Sequence, residues 1–137
     1  MTEQEFIHRV IHKPWANRCE SFDKMDCIGL VNLYYKNVLG LPCVKIDGYG
    51  TNEDIGHLYN QNIKRYWVET DVKQGGVMVV MESPNEPPHL GILLSCKTKV
   101  LHCNGSVGRE GKVSIHSLSS LEWFFKLSFH RLVQWQN

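Results

Sequence analysis

The chain has 137 residues, with 15 Lys and Arg against 14 Asp and Glu and a formal net charge of +1. That length suits one domain, which buries about 70% of the surface its unfolded chain exposes, so residues 1–137 read as a single unit with one core. Charge is balanced in both halves, which leaves no electrostatic footprint for nucleic acid, and no apolar run approaches the roughly 20 residues of a membrane-spanning helix.

The N-terminal stretch MTEQEFIHRVIHKPW is acidic early and lacks the apolar segment of a signal peptide, so synthesis and retention in a cytoplasm are expected. Within it, Phe6 and Val10, with Ile7 and Ile11, fall at helical spacing and predict a helix over 3–12 that ends ahead of Pro14. The five cysteines, Cys19, Cys27, Cys43, Cys96 and Cys103, are an odd number and read as free thiols in a reducing compartment. His102 and Cys103 are adjacent and Cys96 lies seven residues earlier, but no close Cys-x(2–4)-Cys pair is available to close a tetrahedral zinc site, so no metal is expected.

The strongest helix signal follows, in FDKMDCIGLVNLYYKNVLG. Cys27, Leu30, Val31, Tyr34, Tyr35 and Val38 recur along one face of a 3.6-residue period, Asp26 suits the N-cap and Gly40 the left-handed stop. Residues 41–75 are less patterned: DGYGTNEDIG reads as loop, and IGHLYNQNIKRYWVET is compatible with a short helix. From Gly75 the texture changes to short β-rich segments, GVMVVMES, HLGILLSC, KVLHCNG, KVSIHSL and FFKLSFHRLVQW, separated by turn-forming residues. Helices first and closely connected strands afterwards predict an α+β fold, N-terminal helices packed on an antiparallel sheet of about five to six strands.

A cysteine on the apolar face of a helix is, taken alone, more often a core residue than a reactive one. Position argues for reactivity: with Asp26 as cap, Cys27 occupies the first helical turn, where free backbone N–H groups and the dipole favour a thiolate or hold an oxyanion. A free thiol has a pKa near 8.5 and is only a few per cent ionised at neutral pH, so it needs a base. Among seven histidines, His8, His12, His57, His116 and His130 read as solvated or locally hydrogen-bonded. His89 differs because it opens an apolar strand straight after Pro87 and Pro88, with Gly91 leaving the same face uncrowded for the helix of Cys27.

A third member lies on the next strand. His89, Gly91 and Leu93 share a face with His102 and Asn104 if the two strands form a hairpin with an even loop, and either polar group suits the role of orienting His89. A flat ladder with Lys97 and Thr98 as the loop puts Leu93 opposite His102, so a longer loop, a bulge or twist is required to bring His89 near it. Asn104 is the reserve candidate.

These stretches together resemble a known family. FDKMDCIGLV, HLGILL and VLHCNG, in that order, are similar to the Asp-Cys-Ser-Gly-Leu-Val, His-Val-Gly-Ile and Val-Ile-His-Ala contexts of the NlpC-type papain-like cell-wall cysteine peptidases, and QGGVMVV resembles the Gly-Asp-Leu-Val strand. The resemblance implies Cys27 as nucleophile, His89 as general base and acid, and His102 as the orienting residue, with Trp15, Asp26 and Asn104 lining the substrate and oxyanion region. It implies hydrolysis of peptidoglycan stem peptides near the D-glutamyl to diamino-acid bond, without metal or organic cofactor. KPWANRCESFDKMDCIGLVNLYY resembles phage tail-associated members, which implies synthesis in a bacterial cytoplasm, a place in the virion and tail-tip partners.

Three positions depart from the pattern: Ile28 stands for Ser, Trp15 for a frequent Tyr and Gly76 for a frequent Asp. Arg18, Lys24 and Arg65 are the basic residues first expected against stem-peptide carboxylates, and the loop from Trp15 to Arg18 is expected to give a second oxyanion donor. The competing expectations are an idle structural tail protein, or an amidase or acyltransferase on the same scaffold.

Overall fold

A computed structural model describes residues 1–41, 65–106 and 108–133. The expected loop DGYGTNEDIG, most of the IGHLYNQNIKRYWVET segment, Cys43 and His57 lie outside the described residues. Helix α1 (Glu3–Val10) starts in a capping box, Thr2 Oγ1 accepting from Glu5 N at 3.1 Å while the Glu5 carboxylate accepts from Thr2 N. It stops at Ile11, earlier than expected, because His12 takes a left-handed φ of 66° two residues before Pro14. Phe6 and Val10 bury its apolar stripe, and Phe6 meets Tyr34 edge-on at 5.4 Å.

Helix α2 (Cys27–Asn37) begins where the cap predicts it. It is not half-exposed, however: Cys27 through Tyr35 are all buried, as for a central helix walled in on every side. Asn32, on the face expected to be wet, donates to Glu20 Oε1 at 2.9 Å, and Tyr34 donates to Glu3 at 2.7 Å, which ties α1 to α2. Gly29 lets this helix start close to the chain before it; a Cβ there would stand 2.2 Å from the Cys19 carbonyl oxygen.

Among the described residues, six strands form one antiparallel sheet: β1 (Trp67–Glu69), β2 (Met78–Glu82), β3 (His89–Leu93), β4 (Lys99–Cys103), β5 (Val113–Ser117) and β6 (Lys126–Leu132), in the order β1-β6-β2-β3-β4-β5. The chain meanders from β2 to β5, passes through the short helix α3 (Leu118–Leu121), and returns as β6 to the far side of β2. Strand β1 is an addition: Trp67–Glu69, at the end of the stretch read as compatible with a short helix, pairs with β6. Residues Met78–Met81 are buried in succession, as a strand covered on both faces should be. Helix α2 packs on β3 and β4, and Cys27 at its N-terminus meets the Leu90 N–H of β3.

Candidate active site

Asp26 fixes the helix end that carries Cys27. Its carboxylate accepts from Gly29 N at 2.8 Å and from Arg18 N at 3.0 Å, and its own N–H donates to Cys19 O. A carboxylate so engaged is a cap, with its charge 2% exposed beside the thiol; it donates nothing to an oxyanion. Leu30 N bonds Asp26 O and Gly29 N bonds the carboxylate, while the Ile28 N–H faces the Cys27 sulfur.

The sulfur of Cys27 lies against the start of β3. Burial pushes its thiol up to about 12, and the Asp26 charge adds to the rise, while the N–H groups of Leu90 and Ile28 act in the opposite sense. Desolvation and the adjacent carboxylate thus act against the lowered thiol expected from the helix end. Cys27 in the free protein is a thiol.

His89 arrives where the prolines direct it, on the wall of the cavity that Cys27 also lines. Its Nε2 lies 2.9 Å from His102 Nδ1, the rings crossing at 80°. The hairpin register explains the contact. Leu93 pairs with Val100 and Gly91 with His102, and Lys97 N bonds Leu94 O, so the loop is the four residues 95–98, not Lys97 and Thr98 alone. That moves His102 two residues toward His89, within diagonal reach across the sheet. The nearest neighbours of Gly91 belong to the sheet: a Cβ there would stand 2.7 Å from Val100 Cγ1 and 3.0 Å from both Leu101 O and Met81 Cε.

Beyond His102 stands a residue that the sequence reading set aside. His102 Nε2 lies 2.7 Å from His116 Nδ1 on β5, so three imidazoles run from the cavity wall, through a residue 4% exposed, to an exposed ring. Ser114 pairs with His102, and His116 shares the face of Ser114; the signal was the alternation of VSIHS, legible only once the β4–β5 register is known. Burial lowers His89 to about 4, and burial together with the neighbouring imidazoles lowers His102 to about 3. His89, half-buried on the cavity wall, and the buried His102 are thus neutral at pH 7.

Asn104 takes a different part from the reserve role: its Oδ1 accepts from Lys112 N at 3.1 Å, at the end of β4. It lines the cavity with Trp15, whose ring lies against Gly105, and with Asp26. Cys103 points away from His102, as adjacent strand residues must, and donates to Met25 O at 3.2 Å, so the His102–Cys103 pair does not converge on one point. Among the described residues, Cys27, Cys96 and Cys103 are free thiols. Arg18, Lys24 and Arg65 are not among the described residues of the cavity wall; its charged members there are Asp26, Glu86, Arg109 and Glu110.

A thiol at a helix N-terminus, a neutral imidazole oriented by a second one and a shared cavity are the components of nucleophilic acyl transfer. No family model and no curated protein sequence matches the chain. Among solved structures, the NlpC/p60 domain of the peptidoglycan hydrolase SagA superposes with a TM-score of 0.55 at 16% identity, over 92% of this chain and 93% of that one. The fold is that of an NlpC/p60 domain. Its few helices and six-stranded antiparallel sheet are the papain-like arrangement that the motifs implied.

Proposed function

We propose that this chain is a cysteine peptidase that hydrolyses peptidoglycan stem peptides, near the D-glutamyl to diamino-acid bond. The observation that carries the reading is the His89–His102 hydrogen bond on the wall of the cavity that holds Cys27 at the start of α2. The likeness of fold to a peptidoglycan hydrolase domain supports the substrate class.

His102 engages Nε2 of His89, which leaves Nδ1 as the nitrogen for Cys27. As the sulfur attacks the amide carbonyl, its proton passes to His89 Nδ1 and the carbonyl π electrons move to oxygen. The backbone N–H of Cys27 stabilises that oxyanion. Trp15, Ala16 and Arg18 already donate their backbone N–H groups to Gly111 O, Met25 O and Asp26, so Asn17 and the Trp15 side chain, both on the cavity wall, are the donors left to that loop. The imidazolium then protonates the departing amine, leaving a thioester. Water, losing a proton to His89, releases the acid and the sulfur recovers that proton. Arg109 takes the role first given to Arg18, Lys24 and Arg65, pairing with a stem-peptide carboxylate.

The N-terminal resemblance extends the proposal to a phage virion, with the protein trimming wall locally at infection or acting in tail assembly beside tail-tip proteins. Peptide mass spectrometry of purified particles tests that setting. The buried, un-ionised thiol favours one second reading, a structural protein that keeps the fold without the reaction. Digestion of purified peptidoglycan by wild type and by Cys27→Ala separates the two. Wild type alone should release stem-peptide fragments; two identical, empty chromatograms would remove the peptidase reading.

A further inference from the structure

The two histidine contacts form a chain with only two consistent proton orders. In neutral imidazole one nitrogen donates and the other accepts. If His89 Nε2 donates to His102 Nδ1, then His102 Nε2 donates to His116 Nδ1, and His89 Nδ1 carries a lone pair toward Cys27. If His116 Nδ1 donates instead, every proton shifts by one place and His89 Nδ1 carries hydrogen. Only the first order makes His89 a base.

We propose that His116 is a positioning residue: by accepting from His102 Nε2–H it fixes the proton order that leaves His89 Nδ1 free to take the Cys27 proton, and it opens a proton path to solvent. This rests on the Cys27–His89 reading above. When His89 gains the Cys27 proton at Nδ1, its Nε2 proton can pass to His102 Nδ1 and the His102 Nε2 proton to His116 Nδ1. One proton enters the chain and one excess proton resides on His116, so the balance closes without any other reactant. Return along the same path restores His89 for protonation of the leaving amine.

The surroundings leave His116 to act on this chain. From β4 it meets His102; Lys99, paired with Ser117, belongs to the opposite face of the sheet. Helix α3 brings no titratable side chain, Glu122 being its C-cap, and on β5 itself Ser114 shares the face, with Lys112 just before the strand. Of the two rings on β4 and β5, His116 is the one in contact with bulk water, because it is exposed while His102 is buried. Protonated, His116 presents a hydrogen on Nδ1, which drives the inverted order and removes the base.

The test is alkylation of Cys27 by iodoacetamide across pH 3–9, quantified by peptide mapping, in wild type, His116→Ala and His116→Gln. Wild type should show a flat rate that falls on the acid side. His116→Ala removes the acceptor and should lower the flat rate about 5- to 10-fold, as loss of one net hydrogen bond implies. His116→Gln can accept through its amide oxygen but cannot be protonated, so the rate should be retained and its acid edge should move down toward pH 4, where His89 itself takes a proton. Nitrogen-15 NMR should place the neutral protons on His89 Nε2 and His102 Nε2. Unchanged profiles in both variants, or protons on Nδ1, would overturn the role of His116 even if peptidoglycan is cleaved. Shifted profiles without peptidoglycan cleavage would uphold it and remove the substrate reading alone.

Discussion

His89 Nε2 reaches His102 Nδ1 at 2.9 Å even though Gly91, and not His89, is the residue paired with His102. The contact is diagonal, and the four-residue loop at 95–98 creates it. His102→Ala should therefore leave His89 in place on its strand but free to turn, lowering kcat/KM on a stem peptide by roughly 100-fold. His102→Asn, which is too short to span a diagonal pair, should recover little of it. Steady-state kinetics of the two variants measure this.

Asp26 has two effects that one pair of substitutions separates. Asp26→Ala removes the acceptor of Gly29 N and Arg18 N, and should cost about 1–2 kcal/mol in urea denaturation. Asp26→Asn keeps an oxygen for the cap but removes the charge that helps to raise Cys27. Its thiol should then titrate below about 12, bringing the alkaline rise in alkylation to lower pH.

Gly91 is constrained by three neighbours at once. Gly91→Ala should destabilise by about 1–3 kcal/mol, because Leu101 O belongs to the sheet backbone and cannot swing aside as Met81 can. Thermal unfolding should show a lower Tm with no change in the sequence of unfolding events.

Acid should destabilise the fold through the same histidines. His89 and His102 bind protons at about 4 and about 3 when folded, below the ordinary value of 6.5, so the unfolded chain binds more protons as pH falls from 6.5. Stability contributed by their neutral burial is fully present above pH 6.5 and is lost toward the folded values. The slope approaches about 1.4 kcal/mol per pH unit for each histidine. His102→Gln should flatten the dependence of urea midpoint on pH between 6.5 and 4.

The sequence displayed the parts whose cause is local. Asp26 as cap, Cys27 in the first turn, and His89 after two prolines follow from short-range sterics and hydrogen bonding, and the structure places each as those rules require. What was hidden depended on register. The loop at 95–98 decides which residue faces His102, and the β4–β5 pairing decides that His116 joins it; neither is encoded in the strands themselves. The full burial of α2 was also invisible, because Gly29 and Asn32 read as polar or neutral positions until the Cys19 carbonyl and Glu20 are seen beside them. The rise of the Cys27 thiol was hidden for a related reason: its burial, and after it the negative charge of the cap that starts the helix, show only in the folded chain.

The direct test of the Cys27–His89 pair is the pH dependence of Cys27 alkylation in wild type and His89→Ala. An ordinary thiol gains about tenfold in rate per pH unit below its pKa of about 8.5. With Cys27 un-ionised until about 12 and His89 neutral above about 4, reaction by proton transfer to His89 should be flat between pH 6 and 9. His89→Ala should abolish that plateau and leave a slow rate rising with hydroxide. Identical profiles in the two proteins, each rising tenfold per unit, would return Cys27 to the hydrophobic core and contradict the account.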